Sequence, residues 1–143
     1  MRYETTVEIH APLSDVWPVL VDVERWPEWT KSMQRVQRLD AGALAVGART
    51  RTRQPRLGAN VFTVTALEPE RSFDWVARRP GATIAAGHSL EATDAGTTRV
   101  LLTVEIDGAL APLLGLLVAR LTRRYVDIEA AGLKARAEAA RTA

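Results

Sequence analysis

The sequence contains no cysteine, which removes disulfides, thiolate metal sites and cysteine nucleophiles together. It has two histidines, His10 and His88, far apart and without a clustered carboxylate, which is a poor basis for a metal site. It also lacks excess charge of either sign. With 19 Lys and Arg against 17 Asp and Glu, and with the arginines spread among acids, it offers no basic face of the kind that nucleic acid demands. No long hydrophobic run is present: the most apolar stretch, residues 109–121, contains Pro112 and Gly115, meets Arg120, and falls well short of the ~20 residues of a membrane span. Residues 1–8 alternate polar and apolar instead of following a basic region with an apolar run, so no export signal is read and a cytoplasmic location is the default expectation. Phosphate-binding glycine loops, dinucleotide fingerprints, nucleophile elbows and metalloprotease motifs are all missing, so no cofactor or metal is expected.

What is there suits one soluble domain spanning residues 1–143, since 47% apolar and 25% charged residues can build one continuous core without staples. In residues 2–10 the odd positions Tyr3, Thr5, Val7 and Ile9 alternate with polar ones, the pattern of a half-buried strand. Pro12 suits a helix start, and Val16, Trp17, Val19, Leu20 and Val23 form an apolar stripe after it. Pro18 removes a backbone hydrogen bond in the second turn, which predicts a kink there or a helix beginning nearer Asp15. Residues 25–29 read as a second short turn with tryptophans on both sides of Pro27.

From residue 32 the helical period is gone. Runs at about 32–39, 48–53, 60–67, 72–78, 83–93 and 98–107 are punctuated by Gly and Pro, which predicts an antiparallel meander. A three-residue loop of Asp94, Ala95 and Gly96 pairs Thr93 with Thr97 and puts His88 opposite Leu102. Ile84, Ala86, His88 and Leu90 then share a face with Val100, Leu102, Val104 and Ile106, whereas a two-residue loop would turn Ser89 and Glu91 onto that buried face. The turn at residues 68–71 likewise sets Phe62, Val64 and Ala66 beside Phe73, Trp75 and Ala77. From about 109 to 141 the period returns to 3.6, with Leu110, Leu114, Leu117, Leu121, Tyr125, Ile128, Gly132 and Ala135 on one stripe. At ~1.5 Å per residue this helix is on the order of 50 Å long, enough to cross the sheet.

Strand, two short helices, antiparallel strands and a final long helix is the element order of the helix-grip fold, an α+β class. The local sequence resembles the START-like SRPBCC superfamily, especially its bacterial polyketide cyclase/dehydrase and lipid-transport-like branch. The carrying residues are Val7-Glu8-Ile9-His10-Ala11-Pro12, Asp15-Val16-Trp17, Leu20-Val21-Asp22 and Trp26-Pro27-Glu28-Trp29. Leu67-Glu68-Pro69, Phe73-Asp74-Trp75 and Asp94-Ala95-Gly96-Thr97 extend the likeness over essentially the whole chain. The resemblance implies a curved sheet wrapped around the C-terminal helix, with a ligand cavity between them. The small residues Ala66, Ala77 and Ala86 on the inferred inner face agree, because they leave space opposite a helix.

The expected ligand-binding set is Trp29, Phe62, Val64, Phe73, Trp75, Ala86, His88, Leu102, Leu114, Leu117, Leu121 and Tyr125. His88 is the one candidate for catalysis. It serves either as an acid or base whose ordinary pKa suits neutral pH, or as a core histidine tied to a backbone partner. Arg49, Arg51 and Arg53 alternate with Thr50 and Thr52; turned inward they would clamp an anion, but the cost of burying unpaired charge favours outward arginines. Trp29 and Trp75 are the tryptophans expected at the cavity, and Tyr125 offers its hydroxyl either to a ligand or to the sheet. The leading expectation is a carrier or sensor for a small hydrophobic molecule such as a lipid, isoprenoid or polyketide. The alternatives are a cyclase, aromatase or dehydratase using the same cavity, and a homodimer or membrane-surface contact through the leucine-rich start of the last helix.

Overall fold

A computed structural model describes residues 1–142. Seven strands form one antiparallel sheet: β1 (Arg2–Ile9), β2 (Arg35–Arg38), β3 (Arg49–Gln54), β4 (Gly58–Glu68), β5 (Ser72–Arg79), β6 (Ala82–Ala92) and β7 (Thr98–Asp107). Their spatial order is β1-β7-β6-β5-β4-β3-β2, a meander whose first strand has joined the far edge beside the last. Helix α1 (Leu13–Val21) and a 3-10 helix (Val23–Glu28) connect β1 to β2, and α2 (Ala111–Thr142) lies against the concave face. This is the helix-grip architecture expected from the element order.

Alternation sets the sheet. In β1 every second residue from Tyr3 to Ile9 turns inward, and the Asp94-Ala95-Gly96 loop holds Thr93 against Thr97 with Gly96 at φ +77°. That register places His88 opposite Leu102 and Ala86 opposite Val104, as the loop length requires. The β4–β5 hairpin departs from the simple alternation. Phe62 pairs with Ala77 and Val64 with Trp75, but the register shifts between Val64 and Ala66. This bulge pairs Leu67 with Phe73 and turns Ala66 outward, correcting its expected inward position. A bulge adds one residue to one strand and increases local twist, which helps a sheet to curl.

Arg49, Arg51 and Arg53 are exposed, and Thr50 and Thr52 are fully buried beneath them. Helix α1 begins at Leu13 and not nearer Asp15, one of the two outcomes that Pro18 predicts, with the Asp15 and Val16 amides both donating to the Pro12 carbonyl. Pro18 stays inside the helix, whose Val16 and Leu20 are buried.

Two apolar clusters form. The larger includes Trp26, Phe73, Trp75, Leu102, Leu133 and Ala137, and the smaller is Ala82, Ile106 and Ala111 with Ile84, Leu114 and Val118 packed on it. The C-terminal half of α2 is clamped to β1. Lys134 Nζ donates to the Glu8 carbonyl at 2.8 Å and to Glu138 at 2.6 Å, while Glu138 accepts the His10 amide at 2.8 Å.

Candidate functional site

Between the sheet and the N-terminal half of α2 lies a cavity of about 430 Å3, whose walls draw on both clusters. Trp26, Phe62, Trp75, Ile84, Val104 and Ile106 belong to its apolar wall. Helix α2 contributes Leu114, Val118, Thr122, Tyr125 and Glu129, whose spacings of four, four, three and four keep them on one helical face. Arg56, Arg79, Pro80 and Leu110 line the cavity and are also exposed, so they mark its mouth.

The structure sorts the expected residues. Phe62, Trp75, Ala86, His88, Leu114 and Tyr125 all line this cavity. Val64, Phe73 and Leu102 lie on the inner face but are buried in the larger cluster, off the cavity wall. Trp29 is corrected to Trp26: Trp26 lines the cavity, whereas Trp29 packs behind it at 5.6 Å between ring centroids and borders a small surface pocket with Val19 and Arg136. The indole nitrogen of Trp26 donates to the Leu20 carbonyl at 2.9 Å, which aims its ring inward. Leu117 and Leu121 are corrections too. Leu117 is 71% exposed, Leu121 is half-buried away from the cavity, and Val118 and Thr122, one position later in each case, face inward instead. The stripe errs again near the C-terminus, where Ala135 is exposed and Leu133 and Ala137 are fully buried.

His88 is 2% exposed and enclosed by aromatic rings. Phe73, its cross-strand partner, stacks on it at 4.2 Å, and Trp26 and Trp75 meet it edge-on at 5.5 and 5.7 Å. Its Nδ1 lies 3.0 Å from the Phe73 carbonyl, and a carbonyl only accepts, so Nδ1 carries the proton. Burial pulls the imidazole pKa down to about 4, against the smaller opposing effect of that hydrogen bond. The ring is therefore neutral at pH 7, with a lone pair on Nε2, which has no hydrogen-bond partner among the described residues. This is the core histidine tied to a backbone carbonyl, with one nitrogen left over on a cavity-lining side chain.

Glu129 is the residue that sequence reasoning missed. Burial of its carboxyl pushes the pKa up to about 8, so the group holds its proton at pH 7. It makes no hydrogen bond or ion pair among the described residues, although it lines the same cavity as His88. The signal lay in the helix period: with Leu114 and Val118 inward, Thr122, Tyr125 and Glu129 follow at the same phase. The Tyr125 hydroxyl is occupied, donating to the Pro55 carbonyl at 2.6 Å. The remaining polar lining is Asn60, Gln54 and Thr122, with Arg56 and Arg79 at the mouth. An unpaired acid and an unpaired imidazole, both uncharged at pH 7, give one donor and one acceptor in an otherwise mostly apolar chamber.

Solved structures share this architecture. A START superfamily protein from Mycobacterium smegmatis superposes with a TM-score of 0.78 at 16% identity, covering 96% of this chain and 97% of that one. A protein from Thermus thermophilus gives 0.78 at 18% identity, with 98% and 99% covered. The ZhuI aromatase/cyclase from Streptomyces sp. R1128 gives 0.71 at 20% identity, with 98% and 97% covered. At such identities the likeness concerns the fold alone. No curated protein matches the sequence. The family model described as "Polyketide cyclase / dehydrase and lipid transport" matches residues 1–138, and the chain belongs to that family.

Proposed function

We propose that the protein binds a small, largely apolar molecule in this cavity, as a carrier or sensor, and grips one uncharged polar end of it between His88 Nε2 and the Glu129 carboxyl. The observation that carries this reading is a chamber of about 430 Å3 that is apolar except for a few groups, two of which, the buried His88 and the half-buried Glu129, are neutral and unpaired. That volume lies within the range of small-molecule sites. Each 100 Å2 of apolar ligand surface removed from water contributes about 2.5 kcal/mol, so the walls supply the affinity and the polar pair supplies the orientation. A lipid, isoprenoid or polyketide with a hydroxyl or carbonyl at its buried end fits these terms.

Native mass spectrometry of the purified protein, with a titration of Trp26 and Trp75 fluorescence by fatty-acid, isoprenoid and polyketide-like probes, tests the reading. A co-purified apolar molecule or a saturable fluorescence change supports it. A bare protein mass with no response to any probe class overturns it.

A second reading is favoured by the protonation states themselves. A protonated carboxyl and a neutral imidazole lining one chamber offer a general acid and a general base, the kind of pair that enolisation or loss of water from a polyketide-like substrate uses. His88→Ala and Glu129→Gln separate the readings: an enzyme loses turnover in both variants while the fold persists, and a carrier only binds with altered affinity.

A further inference from the structure

We propose that the start of α2 is a docking surface for an anionic lipid bilayer, held at the mouth of the cavity. Leu110, Leu113, Leu116 and Leu117 are 47%, 56%, 81% and 71% exposed, a degree of apolar exposure that packing on the sheet does not account for. Leu113, Leu116 and Leu117 follow the i, i+3, i+4 spacing of one helical face, and Arg120 and Arg124 continue that face through the next two turns. No acidic residue occurs in α2 from Ala111 to Val126. The cavity rim adds Arg56 and Arg79, and the Leu110 amide is anchored to the Gly81 carbonyl at 2.8 Å in the turn that follows Arg79. None of Arg56, Arg79, Arg120 and Arg124 has an ion pair among the described residues, although Arg2, Arg25, Arg49, Arg71, Arg99 and Arg136 each do.

Apolar turns bordered by unpaired cations match the two layers of an anionic bilayer surface, with leucines in the acyl boundary and guanidinium groups at the phosphates. No helix of the described residues is long and apolar enough to cross a membrane, so α2 would lie on the surface. A second copy of the chain is the poorer occupant. A two-fold contact through the leucines offers Arg120 and Arg124 only Asp127 as an acid on that face, and Asp127 already accepts a hydrogen bond from the Tyr3 hydroxyl at 2.7 Å.

The test is co-sedimentation of the full chain with vesicles of phosphatidylcholine alone and of phosphatidylcholine with 20–30% phosphatidylglycerol, with light scattering on the protein by itself. Leu116 and Leu117 are exposed, so the double variant Leu116→Glu/Leu117→Glu should keep the wild-type circular dichroism spectrum, and the cavity stays intact. The expected result is binding to the anionic vesicles that falls roughly tenfold or more in the variant and severalfold in 0.5 M salt. Absence of vesicle binding overturns the proposal. So does a concentration-dependent dimer that the double variant abolishes, because it assigns the leucines to a second copy. Neither result depends on what occupies the cavity.

Discussion

The Tyr125 phenol donates to the Pro55 carbonyl across the cavity mouth, at 2.6 Å, and so ties the middle of α2 to the tip of the β3–β4 hairpin. Arg56 and Leu57, the next two residues of that tip, line the cavity, with Arg56 held at φ 67°. The hairpin tip and the helix are therefore joined by one side chain. Tyr125→Phe removes the bond and leaves the ring, which should cost about 1 kcal/mol of stability by chemical denaturation. It should also speed both entry and release of a fluorescent apolar probe in stopped flow. Unchanged probe kinetics would mean that this bond does not restrain the mouth.

Ala86 contributes the smallest side chain on the cavity wall, paired with Val104 on one side and Trp75 on the other. Ala86→Phe directs a ring into open space, so it should change stability by less than about 1.5 kcal/mol. Probe binding should fall by at least about tenfold, because volume that a ligand needs is taken. A variant that stays folded and binds as tightly as wild type would move the binding site out of this cavity.

The legibility of the sequence divides along physical lines. Strand faces and the His88–Leu102 register were readable because alternation is local and the Asp94-Ala95-Gly96 loop fixes which residues oppose each other. The bulge after Val64 was not, since neither turn chemistry nor alternation marks it and the curvature of the whole sheet is what accommodates it. The face of α2 was misphased for a related reason. Leucines at 110, 113, 114, 116 and 117 surround the helix, so that segment carries almost no phase information, and choosing Leu117 over Val118 shifted the inferred stripe. Glu129 disappeared with that shift, because a glutamate next to Ile128 reads as the solvent side of the helix. Trp29 was preferred to Trp26, three residues away, because nothing in the sequence marks that the 3-10 helix directs Trp26 to His88.

Gly132 is where α2 crosses the chain just after the 3-10 helix. A Cβ at this position would collide with the Trp29 carbonyl oxygen and lie 3.2 Å from the Trp29 ring. The oxygen belongs to backbone that is fixed by the Thr30 and Trp29 amides bonding to the Trp26 carbonyl, so the helix itself must move away. Gly132→Ala would be helix-favouring in an isolated peptide by about 1 kcal/mol. In the protein it should instead lower stability by about 3 kcal/mol, roughly 10 °C in the thermal midpoint. A neutral or stabilised variant would show that the helix crossing has slack.

His88 and Glu129, the two cavity groups whose titration is shifted, make opposite contributions to the dependence of stability on pH. His88 titrates near 4 when folded and at about 6.5 when unfolded, so between these values the unfolded chain holds more protons and acidification favours unfolding. Glu129 titrates near 8 when folded and at about 4.5 when unfolded, so across that window the folded protein holds more protons and rising pH favours unfolding. From 4.5 to 6.5 the slopes oppose each other, and from 6.5 to 8 Glu129 acts without His88. Asp40 and Glu138, whose partners lower their pKa values, titrate below this upper window. The wild-type thermal midpoint should therefore drop between pH 6.5 and 8, and Glu129→Gln, which keeps the shape and cannot ionise, should be nearly flat there. The same proton governs recognition: a ligand that accepts a hydrogen bond from the Glu129 carboxyl should lose affinity above pH 8, by up to about tenfold per unit, and the Gln variant should not. A wild-type midpoint as flat as the variant's would mean that the carboxyl has found water or a cation and is already ionised at neutral pH.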